Sequence, residues 1–327
     1  MTFTVWKDPP LPASNVAPIR LVAVADSVAI YCGKVAPAMA GSAAYPFQTT
    51  LTPITVSGPQ LPDIVVPQHL ATSASFDLAA AADGELALAI EDFGGAVNAL
   101  VIGSIDQGRV VVRATYSDFN DYRFSRFVRG DAAPGRMVTA IANGAALVVM
   151  SGAPLAPADV GHKGDPFVKL ADATAGLAIA TTPPNGHLQG AALLAKSGSA
   201  GPPSPAGDFL GTLSLINLAT GRATARPGTL FGPGVTYAFD ADIRSDLILV
   251  LAATNRGPQL LACNSISGQT TPVAWPSGYP PAGTWIAYPT VLAAAGTGKV
   301  FHIAFFDFGT DGLKGIRYAQ LDLSAVP

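Results

Sequence analysis

Charge is what this sequence has least of. Among its 327 residues only 13% are Asp, Glu, Lys or Arg, and glutamate is confined to Glu85 and Glu91. The formal net charge is −3 and the Lys/Arg residues form no stripe, so nucleic acid is not an expected partner. Cysteine is nearly absent too. Cys32 and Cys263 give neither a metal-ligand spacing nor a disulfide framework, and two separate buried thiols are expected. The four histidines, His69, His162, His187 and His302, lack HExxH or HxH spacing, so no metal site is expected, and His302, inside an apolar strand, reads as a core residue. There is no P-loop, no GxGxxG and no Gly-x-Ser-x-Gly elbow, and no cofactor is expected. No apolar run reaches the ~18 residues of a membrane helix. The start, MTFTVWKDPPLP, lacks the apolar core of a signal peptide. The chain as given therefore reads as soluble, without membrane insertion.

What is present is apolar residue and turn residue in alternation. Hydrophobic side chains make up 49% of the chain, enough for a large core, and 34 Gly and 28 Pro are spread among them, which opposes long helices. One cassette recurs: an Ala/Val-rich stretch, a tight polar turn, and a second apolar stretch. It reads IRLVAVA-DS-VAIYC, FDLAAAA-DG-ELALAI, MVTAIA-NG-AALVVM, FDADI-RS-DLILVLA and VLAAAG-TG-KVFHIAF, with turns near Asp26, Asp83, Asn143, Ser245 and Thr297. The turns recur at about 50–60 residues, with one double interval that LQGAALLAK at 188–196 fills. Strand-turn-strand units at this period are the pattern of a β-propeller.

The expected fold is thus all-β, a six-bladed propeller forming a single domain over 1–327. Its blades are placed at 18–66, 70–114, 136–180, 187–226, 237–274 and 285–323. Each cassette supplies the two inner strands of a blade, and hairpins such as ALVIGSI-DQG-RVVVRA supply the outer ones. The lone strand TFTVW at 2–6 is expected to join the sixth blade and close the ring, removing two free edges. Long irregular segments at 33–46, 117–135, 151–166, 183–187, 196–208 and 277–284 are expected to gather on one rim, the expected functional face.

Counting back about six residues from each inner turn reaches the mouth of the central channel. The scarce charges collect there: Arg20, Asp77, Arg136 and Asp240, with Tyr288 at the sixth position. Such charges either fix the blades to one another or grip a polar ligand. Paired Asp77 and Asp240 are the candidates for general acid and base, with Arg20, Arg136 and Tyr288 as ligand-binding residues. A second constellation is YSDFNDYRFSRFVR at 116–129. Its aromatic faces suit sugar C–H surfaces or cations, and its polar side chains fix hydroxyls in direction, so Asp118, Asp121, Tyr122 and Arg123 are candidate ligand contacts.

IRLVAVADSVAIYCG at 19–33 resembles the first inner hairpin of the sialidase-like six-bladed propellers. The resemblance implies that Arg20 clamps a substrate carboxylate. It covers blade architecture and that one residue; no Ser-x-Asp-x-Gly-x-Thr-Trp box is present, and no Tyr/Glu nucleophile pair can be assigned. Six-bladed lectins are similar in architecture, but with only Trp6, Trp275 and Trp285 the chain lacks their repeated Trp-rich pockets. The expected function is recognition of a carbohydrate or peptide on the long-loop face. A glycoside hydrolase or lyase acting at the channel mouth is the alternative, and a structural or assembly module is the third class.

Overall fold

The architecture is that of a computed structural model. It describes the strands named below and, between them, residues 10–13, 17, 19, 38–46, 54–55, 59–63, 71, 107–108, 246, 267, 269, 273–279, 298–299, 310–311 and 323–326. Among the described residues there is no helix, and the strands fall into six antiparallel sheets of four.

The first sheet is β2 (Arg20–Val24), β3 (Ala29–Pro37), β4 (Phe47–Pro53) and β5 (Ile64–Leu70). Strand β1 (Thr2–Trp6) precedes it in the chain but pairs elsewhere. The second sheet is β6 (Ser75–Ala80), β7 (Glu85–Glu91), β8 (Asn98–Asp106) and β9 (Arg109–Ser117). The third is β10 (Arg123–Phe127), β11 (Met137–Ile141), β12 (Ala146–Met150) and β13 (Val168–Lys169). The fourth is β14 (Ala175–Thr182), β15 (Gln189–Lys196), β16 (Leu210–Asn217) and β17 (Arg222–Ala225). The fifth is β18 (Val235–Arg244), β19 (Leu247–Thr254), β20 (Gly257–Asn264) and β21 (Thr270–Pro272). The sixth is β22 (Trp285–Ala293), β23 (Val300–Gly309) and β24 (Gly312–Asp322), and β1 completes it on the far side of β24.

The first five sheets are up-and-down meanders, so the strand ends at their first-to-second and third-to-fourth connections stand at one rim, here the lower; the sixth is also antiparallel throughout but takes β1 from the start of the chain. Second-to-third connections and the passages between sheets share the upper rim. The first strands touch in succession: β2 with β6, β6 with β10, β10 with β14, β14 with β18, β18 with β22, and β22 with β2.

Apolar side chains fill the slabs between neighbouring sheets. Strand β23 shows why its sequence, VFHIAFFDFG, is nearly all apolar: both of its faces are covered. Successive side chains point to opposite faces. Phe301, Ile303 and Phe305 accordingly pack with Leu247, Leu249 and Leu251 of the fifth sheet. Ala304, Phe306 and Phe308 pack with Ile19, Leu21 and Cys32 of the first sheet. A third slab joins the first sheet to the second through Val22, Val35, Leu51, Leu78, Leu86 and Leu88. Cys32 and Cys263 are both buried and form no disulfide.

The third and fourth sheets differ from the sequence-based layout. The Asn143 turn falls between β11 and β12, the second and third strands of their meander, because RFSRF at 123–127 forms the first. AGLAIATT at 175–182 is the first strand of the fourth sheet, where none was evident from sequence. Two polar Arg residues in RFSRF hide a strand whose pairing only its neighbour reveals. The segment 151–166 therefore joins third and fourth strands and 183–187 joins first and second, so their flanking strand ends stand at the lower rim. The strand ends that flank the long segments therefore do not all stand at one rim.

Candidate functional site

The first strands carry Arg20 in β2, Asp77 in β6, Asp240 in β18 and Tyr288 in β22. Arg136 precedes β11, a second strand, so its position does not correspond to theirs. Arg136, Asp118, Asp121 and Tyr122 lie outside the described residues, as do the side chains of Asp77 and Arg123.

Strands β18 and β22 share an irregularity. Tyr237 and Asp240 face Ala253 and Leu251, while Ala287 and Thr290 face Phe306 and Ala304. Each first strand thus holds one extra residue against its partner, which twists it locally. Asp240 and Thr290 occupy corresponding places, and both reach the next first strand. Asp240 Oδ2 accepts the Val291 N–H at 2.9 Å, Asp242 Oδ2 accepts the Ala293 N–H at 2.8 Å, and Thr290 Oγ1 accepts the Leu21 N–H at 3.2 Å. The physical need is plain. The edge of a first strand has no sheet partner, and a buried N–H left unbonded is costly. Asp240 is 1% exposed and Asp242 2%, so both carboxylates are withdrawn from solvent. Arg20 holds the matching place in β2 with a cation that cannot accept, and its Nη1 donates to the Ile19 carbonyl at 3.1 Å. The fold therefore brings Asp240, Tyr288 and Arg20 onto three first strands in contact, β18, β22 and β2.

Tyr288 itself adopts φ 47°, a left-handed conformation that a non-glycine residue rarely holds, in the bulge before Pro289. Its ring meets Phe306 edge-on at 6.3 Å. Nearby on the upper rim, the Trp285 indole lies flat on Phe308, with centroids 3.8 Å apart and planes 4° from parallel. Trp285 is nevertheless 48% exposed.

The other face of β23 carries a second group. Trp275, Tyr279 and Phe305 meet at centroid distances of 5.7, 5.9 and 6.1 Å. The Arg317 guanidinium sits 5.7 Å from the Tyr279 ring centroid and donates twice to Asp307 Oδ2, at 3.2 and 3.0 Å. Burial, and after it the Asp307 charge, hold the Tyr279 phenol protonated well above the usual range. Trp275 Nε1 donates to the Pro258 carbonyl at 3.0 Å. This group fastens residues 273–279, which lead from the fifth sheet to the sixth, against β23 and β24.

Sequence reasoning overlooked Trp285, Asp307 and Arg317 as neighbours of the site. A signal existed for the ion pair: Asp307 and Arg317 flank the Asp311-Gly312 turn of one hairpin, so they come close across it. Among the described residues no group of three or more His, Cys, Asp or Glu is placed to hold a metal ion.

No family model matches the sequence, and no curated protein matches it. Solved structures do match in shape. Hydrazine synthase from Kuenenia stuttgartiensis aligns over 92% of this chain and 80% of its own, at 12% identity and a TM-score of 0.51. A putative oxidoreductase (glucose dehydrogenase) from Thermus thermophilus aligns over 97% of this chain and 100% of its own, at 12% identity and a TM-score of 0.50. The fold is a β-propeller. At such identities the propeller likeness speaks for architecture alone. No helix of the described residues is long and apolar enough to cross a membrane.

Proposed function

We propose that the chain is a single six-bladed propeller, closed by β1, that binds a carbohydrate or peptide on its upper rim. Support for the six-blade reading comes from the succession of first strands and from β1 on the outer side of β24. The observation that carries the binding reading is the engagement of Asp240. Its carboxylate is buried against the Val291 N–H, so it serves the joint between two sheets rather than standing ready for a proton transfer. A hydrolase using Asp77 and Asp240 would need that carboxylate released. Arg20, at the corresponding place in β2, keeps the role of a cation for an anionic group of the ligand, as in the sialidase-like propellers that the first hairpin resembles. Asp118, Asp121, Tyr122 and Arg123 remain proposed contacts, lying in sequence between the end of β9 and the start of β10, two strand ends of the same rim.

Arrays of immobilised glycans and of peptides test the proposal with wild type and with a Tyr122→Ala/Arg123→Ala variant. Binding by wild type that the variant loses supports a site on this rim. Undiminished binding by the variant removes those two residues from it. Turnover of chromogenic glycosides that Asp240→Asn abolishes at unchanged stability would instead restore the hydrolase reading. A stable protein partner in a pulldown, with no glycan or peptide bound, would favour the assembly module.

A further inference from the structure

We infer that the upper rim of the sixth sheet holds a saccharide subsite whose floor is Trp285, taking the flat C–H face of a pyranose ring. The inference rests on the rim-binding reading and narrows its ligand class. Trp285 opens β22, directly after the 277–284 connection, and Phe308 is the last residue but one of β23, just before the 310–311 turn, so both stand at the upper end of the sheet. Phe308 is fixed in the slab that contains Leu11, Phe306, Ile316 and Tyr318. It covers one face of the indole and holds the ring in a single orientation. With that face covered and 48% of the residue still exposed, the outward surface of Trp285 is a rigid apolar plane.

Three features favour a sugar over a peptide. Peptides that dock on aromatic side chains lie in grooves between upright rings. Here the second ring lies beneath the first, leaving one open plane instead of a groove. Strand addition at β22 is blocked as well, because its edge N–H groups at Val291 and Ala293 already bond Asp240 and Asp242. A pyranose needs only the plane for its C–H face and polar groups around it for its hydroxyls. The rim supplies one such group from the Tyr288 phenol, three residues along β22.

The test uses the full chain and named probes: the methyl β-glycosides of glucose, galactose and N-acetylglucosamine, with their β-linked oligosaccharides. The chain has three tryptophans, so three indole N–H resonances are followed in a ¹⁵N-labelled sample, and Trp285→Phe assigns the relevant one. Binding of at least one probe with a shift at the Trp285 resonance is expected. Trp285→Ala should weaken that binding about tenfold or more, while Trp285→Phe, which keeps a plane, should stay within about threefold. Melting temperatures close to wild type would show that both variants remain folded. Saccharide binding unchanged in Trp285→Ala overturns the subsite and leaves the rim reading intact. Peptide binding without any saccharide binding does the same. A chain that binds neither class overturns both.

Discussion

His302 lies inside β23 with Nδ1 2.6 Å from the Tyr318 hydroxyl, and burial lowers its pKa from 6.5 to about 4. The imidazole is thus neutral in the folded protein at neutral pH. As pH falls below 6.5 the unfolded chain takes up a proton that the folded one refuses until about pH 4. Stability from this group is therefore complete above pH 6.5 and is lost between 6.5 and 4, by up to about 3 kcal/mol. The measurement is the difference in melting temperature between wild type and His302→Gln, followed from pH 7.5 to 4.5. The difference should move against wild type as the pH falls; a pH-independent difference would contradict the assignment. Gly315 is a second residue-scale case. Its φ of 137° is open to glycine and strained for other residues, and an added Cβ would come 2.5 Å from the Leu11 carbonyl oxygen. Gly315→Ala should cost about 1–3 kcal/mol and lower the melting temperature by several degrees, and an unchanged value would count against the strain.

At the scale of the element, the informative contact is between first strands. Asp240 and Asp242 stand two apart in β18, so their side chains point the same way, toward β22. Asp240→Ala strips the Val291 N–H of its acceptor in a buried place. An unmet buried donor costs about 1–3 kcal/mol, which in a large domain lowers the melting temperature by roughly 2–10 °C. Asp240→Asn keeps a carbonyl acceptor and should lose less. Thermal unfolding of the two variants checks the order; equal losses would mean that the carboxylate charge, rather than the acceptor, matters. The cassette made β2, β6, β18 and β22 readable because each is an apolar stretch before a tight turn. It misplaced the first strand of the third sheet because a turn such as Asn143-Gly144 marks a hairpin without saying which pair of strands it joins, and it offered no clear first strand for the fourth.

At the scale of the molecule, the two ends of the chain meet. Strand β1 pairs with the C-terminal half of β24 from Thr2↔Asp322 to Trp6↔Ala319, and Leu11 exchanges backbone hydrogen bonds with Ile316 at 2.8 and 2.9 Å. Deleting residues 1–8 bares that edge of β24 and should lower the melting temperature by several degrees, since an exposed edge loses its bonds and invites pairing with other chains. Differential scanning calorimetry together with light scattering reads both effects. An unchanged melting temperature would argue that β1 contributes nothing to holding the sheet.

By itself the sequence determined the local terms: where the chain turns, which stretches alternate or stay apolar, and that the unit repeats at about 50 residues. These follow from backbone preferences and side-chain period, which act over a few neighbouring residues. It also placed Arg20, Asp77, Asp240 and Tyr288 on first strands, because strand position counts from the turn. Only the tertiary structure decided what those side chains meet. The Asp240 carboxylate finds its donor 51 residues away at Val291, Trp285 finds its support at Phe308, and β1 finds β24 at the far end of the chain. Such pairings depend on how one sheet packs against the next, and a buried donor or an apolar face is satisfied by whichever group that packing brings to it.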